Sequence, residues 1–235
     1  MITNNILSRV YLIKYNNSTG SCFKVTIKNK NYLITARHIF ESNIENGSKM
    51  KIEINRNSSW IEQSVTLLYH KNSNIDIAVL DPHIEDSTEM NVDLKETKYF
   101  LGQDCYFLGF PFGLKMDDKK DIFNQGFPSP FVKKGIISAV MDEENCLQIF
   151  LDGHNNPGFS GGPAIVENFN KKTKNNLGII GIVSAYLTDS KEIDTPFGKF
   201  INTENSGIVV TYGFKYVYEI LEQQVTTRIS QIADN

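Results

Sequence analysis

The stretch Asn155–Ile165 reads NNPGFSGGPAI, and its centre is Gly158-Phe159-Ser160-Gly161-Gly162. A serine hydroxyl becomes a useful nucleophile only when a base takes its proton and a carboxylate orients that base. The glycines around Ser160 suit that chemistry. Gly158 permits a backbone geometry that a Cβ would hinder, so the N–H groups of Gly158 and Ser160 can point into one spot and hold an oxyanion. Gly161 and Gly162 allow close approach of substrate and neighbouring backbone. The bland reading of the same residues is a glycine-rich surface turn.

A nucleophile needs partners, and their order along the chain discriminates. The four histidines, His38, His70, His83 and His154, all precede Ser160. The G-x-S-x-G turn of α/β-hydrolases requires the order Ser, acid, His, which this chain cannot fill. The order His, Asp, Ser can be filled. His38 stands in YLITARHIF, where an apolar strand ends in a small-residue turn that presents an imidazole. Asp76 stands in NIDIAVL, at the start of an apolar strand, where a partly buried carboxylate needs a partner such as an imidazole N–H. Each alone has an ordinary reading, a turn histidine or an Asp capping its own backbone. Asp81, Asp86 and Asp93 lie in more polar surroundings and are weaker candidates for the acid.

These groups must be positioned by short strands. Runs rich in Val, Ile, Tyr, Phe and Thr predict strands at Leu7–Tyr15, Ser21–Ile27, Tyr32–Thr35, Lys51–Asn55, Ile61–Tyr69 and Ile75–Leu80. A second set is Asp104–Gly109, Val132–Met141, Leu147–Leu151, Pro163–Val166, Leu177–Tyr186 and Ile208–Thr211. Turn signals such as NKN, ENG, NSN and NNPG separate them. About a dozen short strands with few helical patterns argue for an all-β barrel or sandwich class. A short helical turn is expected at Ala36–Phe40. A helix is expected from Phe214 onward, with Val217, Ile220, Leu221 and Val225 at helical spacing. The polar segment Asp81–Lys98 reads as the crossing between two strand sets. Lys115–Phe131 reads as a long insertion, a kind of loop often tied to function.

The chain has 235 residues, 40% hydrophobic and 22% charged, with a net charge of -3. That is an ordinary globular composition with no basic patch, which argues against a nucleic-acid partner. No apolar run approaches the roughly 20 residues that cross a bilayer, so no membrane association is expected. The N-terminus has no basic region and no small-residue cleavage site, and reads as a strand rather than an export signal. Cys22, Cys105 and Cys146 are odd in number and suit no metal site, so three reduced thiols in a cytoplasm are expected, with no cofactor and no metal.

Taken together, the motifs resemble the chymotrypsin-like (trypsin-like) serine proteases, most closely the bacterial HtrA/Deg-type catalytic domain. TARHIF resembles the family's T-A-x-H segment, DIAVL its Asp motif and NNPGFSGGP its Ser motif. STGSCF resembles the strand start before the His motif, with Cys22 where Gly is usual. FLGFPFGL, KGIISAV, GIVSAY and SGIVVTYGFKYVYEIL are similar to later strands and the closing helix. The resemblance covers about residues 7 to 222. It implies two perpendicular six-stranded antiparallel β-barrels with a C-terminal helix, residues 1–95 forming the first barrel and 96–235 the second. His38, Asp76 and Ser160 would be the triad, and the backbone N–H groups of Gly158 and Ser160 the oxyanion hole. Ser184 would support Asp76, and the Ser184-Ala185-Tyr186 backbone would pair with substrate as an added strand.

The resemblance also sets expectations where the chain departs from it. Phe159 stands where digestive members carry an Asp that pairs with a freshly cleaved N-terminus, so that activation switch is not expected. The PDZ domain usual in HtrA-type proteins is not expected after the helix. Regulation is therefore expected from a protein partner, from the Lys115–Phe131 loop or from oligomer formation. By position, His154 would lie at the base of the primary pocket. Tyr186, where trypsin-type enzymes have Gly, would narrow that pocket and favour small aliphatic side chains; no acid stands at its base unless Asp152 turns inward, so a trypsin-like preference for Arg or Lys is not expected. The expected function is a serine endopeptidase acting on protein or peptide substrates, with a narrow, partner-regulated range in a bacterial stress or defence setting. The alternative is a latent protease-fold module that binds a peptide or a partner protein without cutting it.

Overall fold

The structure is a computed structural model that describes residues 2–82, 96–116, 126–168, 177–196 and 198–233. A short helix, α1 (Asn4–Leu7), precedes six strands: β1 (Val10–Tyr15), β2 (Ser18–Ile27), β3 (Lys30–Thr35), β4 (Lys49–Arg56), β5 (Ser59–Tyr69) and β6 (Ala78–Asp81). Six more follow: β7 (Asp104–Gly109), β8 (Phe131–Glu143), β9 (Cys146–Asp152), β10 (Pro163–Glu167), β11 (Leu177–Thr195) and β12 (Gly198–Gly213). Helix α2 (Lys215–Ala233) comes last.

The strands close into two antiparallel barrels. The first runs β1-β2-β3-β6-β5-β4, and the second, read from β7, runs β7-β8-β9-β12-β11-β10. The two orders are the same order six strands apart. Closure leaves no sheet edge along the barrel walls, which is how an all-β chain avoids open edges. Several hairpins turn on two residues that both have positive φ: Lys28-Asn29, Asn57-Ser58 and Glu144-Asn145. That geometry matches the right-handed twist of the flanking strands.

Both faces of the strands between the barrels are buried, so alternate residues serve different cores. Tyr11 and Ile13 fill the first barrel with Cys22, Leu33, Ile52, Val65, Leu67 and Leu80. Val10 and Leu12, one residue out of phase, join Phe23, Ile34, Val79, Leu108, Phe110, Ile165 and Ile182 in a layer that continues beneath α2 through Phe214, Val217 and Ile220. Phe107, Ile149, Leu151, Phe159, Ile180 and Val209 fill the second barrel. The continuous apolar runs VYLI and CYFLGF follow from this double burial. All three cysteines are unpaired and buried. Burial pushes the Cys22 thiol up, and that of Cys105 up to about 12.

Some expectations need correcting. Residues 4–7 are a helical turn, so the first strand begins at Val10 rather than Leu7. Ile6 is buried in the inter-barrel layer, a role that one apolar residue on a turn fills as well as a strand does. Ile75 and Ile77 are buried, but regular pairing starts only at Ala78. Among the described residues of α2 the buried positions are Tyr216, Val217 and Ile220, whereas Val225 is 58% exposed. The largest difference lies in β11 and β12, which run well beyond Tyr186 and begin well before Ile208. Their outer halves form a two-stranded ribbon from Thr188↔Asn205 to Thr195↔Gly198. Its Asp, Ser, Lys, Glu and Asn content hides the strand signal. Cross-strand partners hold it instead: Ser190 with Thr203 at 3.0 Å, Lys199 with Glu192, and Ile193 facing Phe200.

The crossing Asp81–Lys98 and the insertion Lys115–Phe131 lie partly outside the described residues. The described ends of the insertion dock on the first barrel. Lys115 Nζ donates to Asn55 Oδ1 at 3.2 Å, Asn57 N–H donates to the Gly126 carbonyl at 2.6 Å, and Phe127 meets Tyr11 edge-on at 4.9 Å.

Candidate active site

His38 is carried by a short helical turn, Arg37–Ile39, directly after β3. Ala36 and Ile39 on either side are buried, so the turn is pinned and His38 is left with half its side chain exposed. Arg37 stacks over the Tyr69 ring, 4.1 Å from its centroid, which holds the turn against β5. Asp76 sits between Ile75 and Ile77, both fully buried. With those two side chains directed into the inter-barrel layer, the carboxylate faces the other way, towards His38.

The carboxylate is well satisfied. The backbone N–H of His38 donates to Asp76 Oδ1 at 2.8 Å, and His38 Nδ1 lies 2.6 Å from Oδ2. Ser184 Oγ donates to the same Oδ2. Ser184 is skipped in the pairing of β11 with β12, where the register shifts between Val183 and Ala185. A bulge of this kind re-aims a side chain; here it aims one from the second barrel at an acid of the first. Burial alone would lower the His38 pKa, but the hydrogen bond and the charge of Asp76 outweigh it and hold the pKa above the ordinary histidine value.

Ser160 lies in the connection from β9 to β10. Phe159 beside it is fully buried and meets Phe107 edge-on at 5.3 Å, so Ser160 faces outward. Its hydroxyl donates to the Ser184 carbonyl at 2.8 Å. No hydrogen bond joins Ser160 to His38 among the described residues.

The backbone around Ser160 is tied down at every carbonyl. His154 O accepts from Lys133 Nζ, Asn155 O from Asn205 Nδ2, Asn156 O from Phe159 N–H and Pro157 O from Phe112 N–H. Gly158 O accepts from Ser21 Oγ, Phe159 O from Gly162 N–H and Ser160 O from Ser21 N–H. The N–H groups of Gly158 and Ser160, by contrast, have no partner among the described residues. Seven consecutive carbonyls thus turn into the protein, and two N–H groups flanking the buried Phe159 are left over. Gly158 makes the turn possible. Its φ is +102°, and a Cβ there would stand 2.2 Å from the Phe110 carbonyl oxygen. Gly161 is equally constrained, since a Cβ would meet Ser21 O at 2.1 Å.

Of the residues singled out from sequence, the structure brings His38, Asp76, Ser160, Ser184 and Gly158 to one place. Ala185 is exposed and Tyr186 half-buried, on the β11 backbone next to Ser184. His154 is different, because its side chain is exposed. The buried side chain of that loop is its neighbour Asn155, 1% exposed, whose amide donates to Ala185 O at 3.2 Å and accepts from Asn156 N–H at 2.9 Å. An amide can satisfy both groups at once, so Asn155 turns inward and His154 outward. Asp152, at the end of β9, is also exposed.

Three participants were missed in the sequence. Ser21, in STGSCF, links the barrels by donating to Gly158 O at 2.7 Å and accepting from Phe110 N–H at 3.0 Å. Asn155 and Lys133 are the others. A serine, asparagine or lysine that is turned inward looks like any other polar residue until its partners are known.

The trypsin-like peptidase domain family matches residues 19–170 of the chain. No curated protein matches it. Among solved structures, Rv3671c from M. tuberculosis H37Rv, a mutant in its inactive form, is similar with a TM-score of 0.54 at 14% identity, over 93% of this chain and 87% of that one. The HtrA-type protease AlgW with a tripeptide is similar with a TM-score of 0.56 at 20% identity, over 93% of this chain and 62% of that one. At these identities the structures speak for the fold alone, two β-barrels. The family match includes His38, Asp76 and Ser160, and the chain belongs to the trypsin-like peptidase domain family, the serine endopeptidases built on two β-barrels.

Proposed function

We propose that the chain cleaves peptide bonds with Ser160 as nucleophile, His38 as general base and then general acid, and Asp76 as the group that fixes the His38 tautomer and stabilises its imidazolium. The observation that carries this reading is the pair of unpartnered N–H groups, Gly158 and Ser160, beside a hydroxyl and a His38–Asp76 pair. An oxyanion hole requires donors that are already oriented and lack a competing acceptor.

The reaction runs in two halves. A substrate strand pairs with the Ser184–Tyr186 backbone, and its own N–H takes the Ser184 carbonyl. Ser160 Oγ is thereby released from that carbonyl and rotates to His38 Nε2. It attacks the scissile carbonyl carbon while His38 takes its proton. The oxygen that becomes negative is held by the Gly158 and Ser160 N–H groups. The C–N bond then breaks, His38 gives the proton to the departing amine, and an ester to Ser160 remains. Water, deprotonated by His38, attacks that ester and restores the free hydroxyl.

The hydrogen bond from Ser160 to Ser184 O also favours a second reading, a latent module that holds a peptide or partner without cutting it. Catalytic hydrogen bonds are often loose until substrate binds, so the enzyme is preferred. We propose protein or peptide substrates of narrow range, a regulating partner, a cytoplasmic location and a bacterial stress or defence setting. The range is narrow because the β11 edge that would receive substrate runs on into the exposed ribbon, which a substrate strand must pass. The test is digestion of a mixed peptide library by wild type and Ser160→Ala, with products sequenced. Cleavage by wild type and none by the variant is expected. Equal cleavage by both overturns the assignment of the nucleophile.

A further inference from the structure

The loop that carries Ser160 has the fully buried Phe159 at its centre and is ordered by its carbonyl anchors. Six of its seven carbonyl anchors are neutral donors. The seventh is Lys133 of β8, whose ammonium donates to His154 O at 2.5 Å and to Asn156 Oδ1 at 2.6 Å and lies 5.2 Å from the centre of the Phe159 ring.

The position of this lysine is unusual. Lys133 is paired with Phe107 across the β7–β8 ladder, and Phe107 belongs to the core of the second barrel. Paired residues of an antiparallel ladder share a face, so Lys133 occupies a position that a barrel would fill with an apolar side chain. Its neighbours Val132 and Lys134 point to solvent, and Lys134 pairs with Asp104 there at 2.7 Å. No carboxylate pairs with Lys133 among the described residues. Burial lowers its pKa, as expected of an ammonium held by neutral acceptors and an aromatic face.

We propose that Lys133 is a positioning residue that holds the His154–Ser160 loop in the shape that presents the Gly158 and Ser160 N–H groups. The proposal rests on the reading of those two N–H groups as the oxyanion hole. One acceptor, His154 O, is at the start of the loop. The other, Asn156, is the residue whose carbonyl takes the Phe159 N–H at 3.2 Å. The ring of Phe159 is covered by the same ammonium. One charge thus fixes the loop on the β8 side, while Asn155 fixes it on the β11 side by donating to Ala185 O. Charge-assisted bonds are roughly twice as strong as neutral ones, and Lys133 supplies the only two made to this loop among the described residues. An apolar residue at this inward position would satisfy the barrel but leave His154 O and Asn156 Oδ1 without a donor.

The test compares wild type with Lys133→Met, Lys133→Arg and Asn156→Ala by two independent readouts. Hydrogen exchange at the amides of Asn156, Phe159 and Gly161 reads loop order without reference to activity. In Lys133→Met these amides exchange at least about tenfold faster while β1–β6 are unchanged, Lys133→Arg restores protection, and Asn156→Ala shifts Phe159 and Gly161 the same way by less. In peptide hydrolysis Lys133→Met loses about 10- to 100-fold, the range a small misplacement of a site imposes, and the loss falls on kcat rather than KM. Wild-type protection of the loop in Lys133→Met overturns the proposal. If Lys133→Met does not fold, Asn156→Ala decides: wild-type protection of Phe159 and Gly161 in that variant overturns the proposal. A wild type that cleaves nothing counts against the proposed protease function, and exchange still decides whether Lys133 orders the loop.

Discussion

The two barrels share a strand order but hold their halves of the site by different means. In the first barrel no strand exceeds the 11 residues of β5, and the groups it offers are aimed by apolar neighbours. Ile75 and Ile77 aim Asp76; Ala36 and Ile39 aim His38. In the second barrel β11 runs to 19 residues and β12 to 16, and the site sits on a loop held by hydrogen bonds at each carbonyl from His154 to Ser160. Packing of buried isoleucines does not change with a side-chain rotation. A hydrogen-bonded loop, by contrast, can be loosened at one anchor. On the proposed reading the base and its acid are therefore the permanent half of the site, and the loop of the proposed nucleophile is the half that the loss of one anchor would change. Ser21 joins the two, since it belongs to β2 of the first barrel yet makes bonds to Gly158, Ser160 and Phe110 of the second.

Breaking the permanent half has the largest expected effect. Asp76→Asn leaves a hydrogen-bonding side chain of the same shape but imposes the wrong His38 tautomer, and kcat is expected to fall by about 10⁴. The same variant carries a pH signature. With neutral His38 as the proposed base, activity is expected to rise with pH through its pKa. Because Asp76 holds that pKa up, the acid limb of kcat/KM in wild type lies above the ordinary histidine range. In Asp76→Asn the charge is gone while burial still lowers the pKa, and the limb moves to lower pH. A limb that stays in place contradicts the assignment of His38 and Asp76.

Breaking the other half is expected to cost less and to leave the first half intact. In Gly158→Ala the new Cβ collides with Phe110 O and the turn must shift, which displaces one of the two N–H donors. Loss of one such donor lowers kcat by about 10²–10³. The His38 titration, followed by NMR of its ring protons, should match wild type. A changed His38 pKa in this variant would show that the two halves are not held separately.

Much of this was legible in the sequence, for physical reasons. Buried strands must alternate or run apolar, so β3, β7 and β10 are close to where VLI-rich stretches put them. The order of histidine, aspartate and serine excluded one hydrolase class outright. What was not legible depends on partners far along the chain. The outer ribbon of β11 and β12 faces water on both sides, so nothing forces alternation, and its strands exist through each other. The choice of Asn155 over His154 as the inward residue rests on the Ala185 carbonyl, 30 residues away. Lys133 reads as one half of a surface Lys-Lys pair until its two acceptors are seen. The direction of the Ser160 hydroxyl is set by a rotamer, which no pattern encodes.

The central claim is that Ser160 is a nucleophile activated by His38. The most direct measurement is reaction of the full chain with a fluorophosphonate, in wild type, Ser160→Ala and His38→Ala, with the adduct located by peptide mass mapping. The account predicts one adduct per wild-type chain, on the peptide that contains Ser160, and none in either variant. An adduct on another residue, or a wild type that stays unlabelled while substrate peptides are bound, contradicts it and favours a module that holds peptides without cutting them.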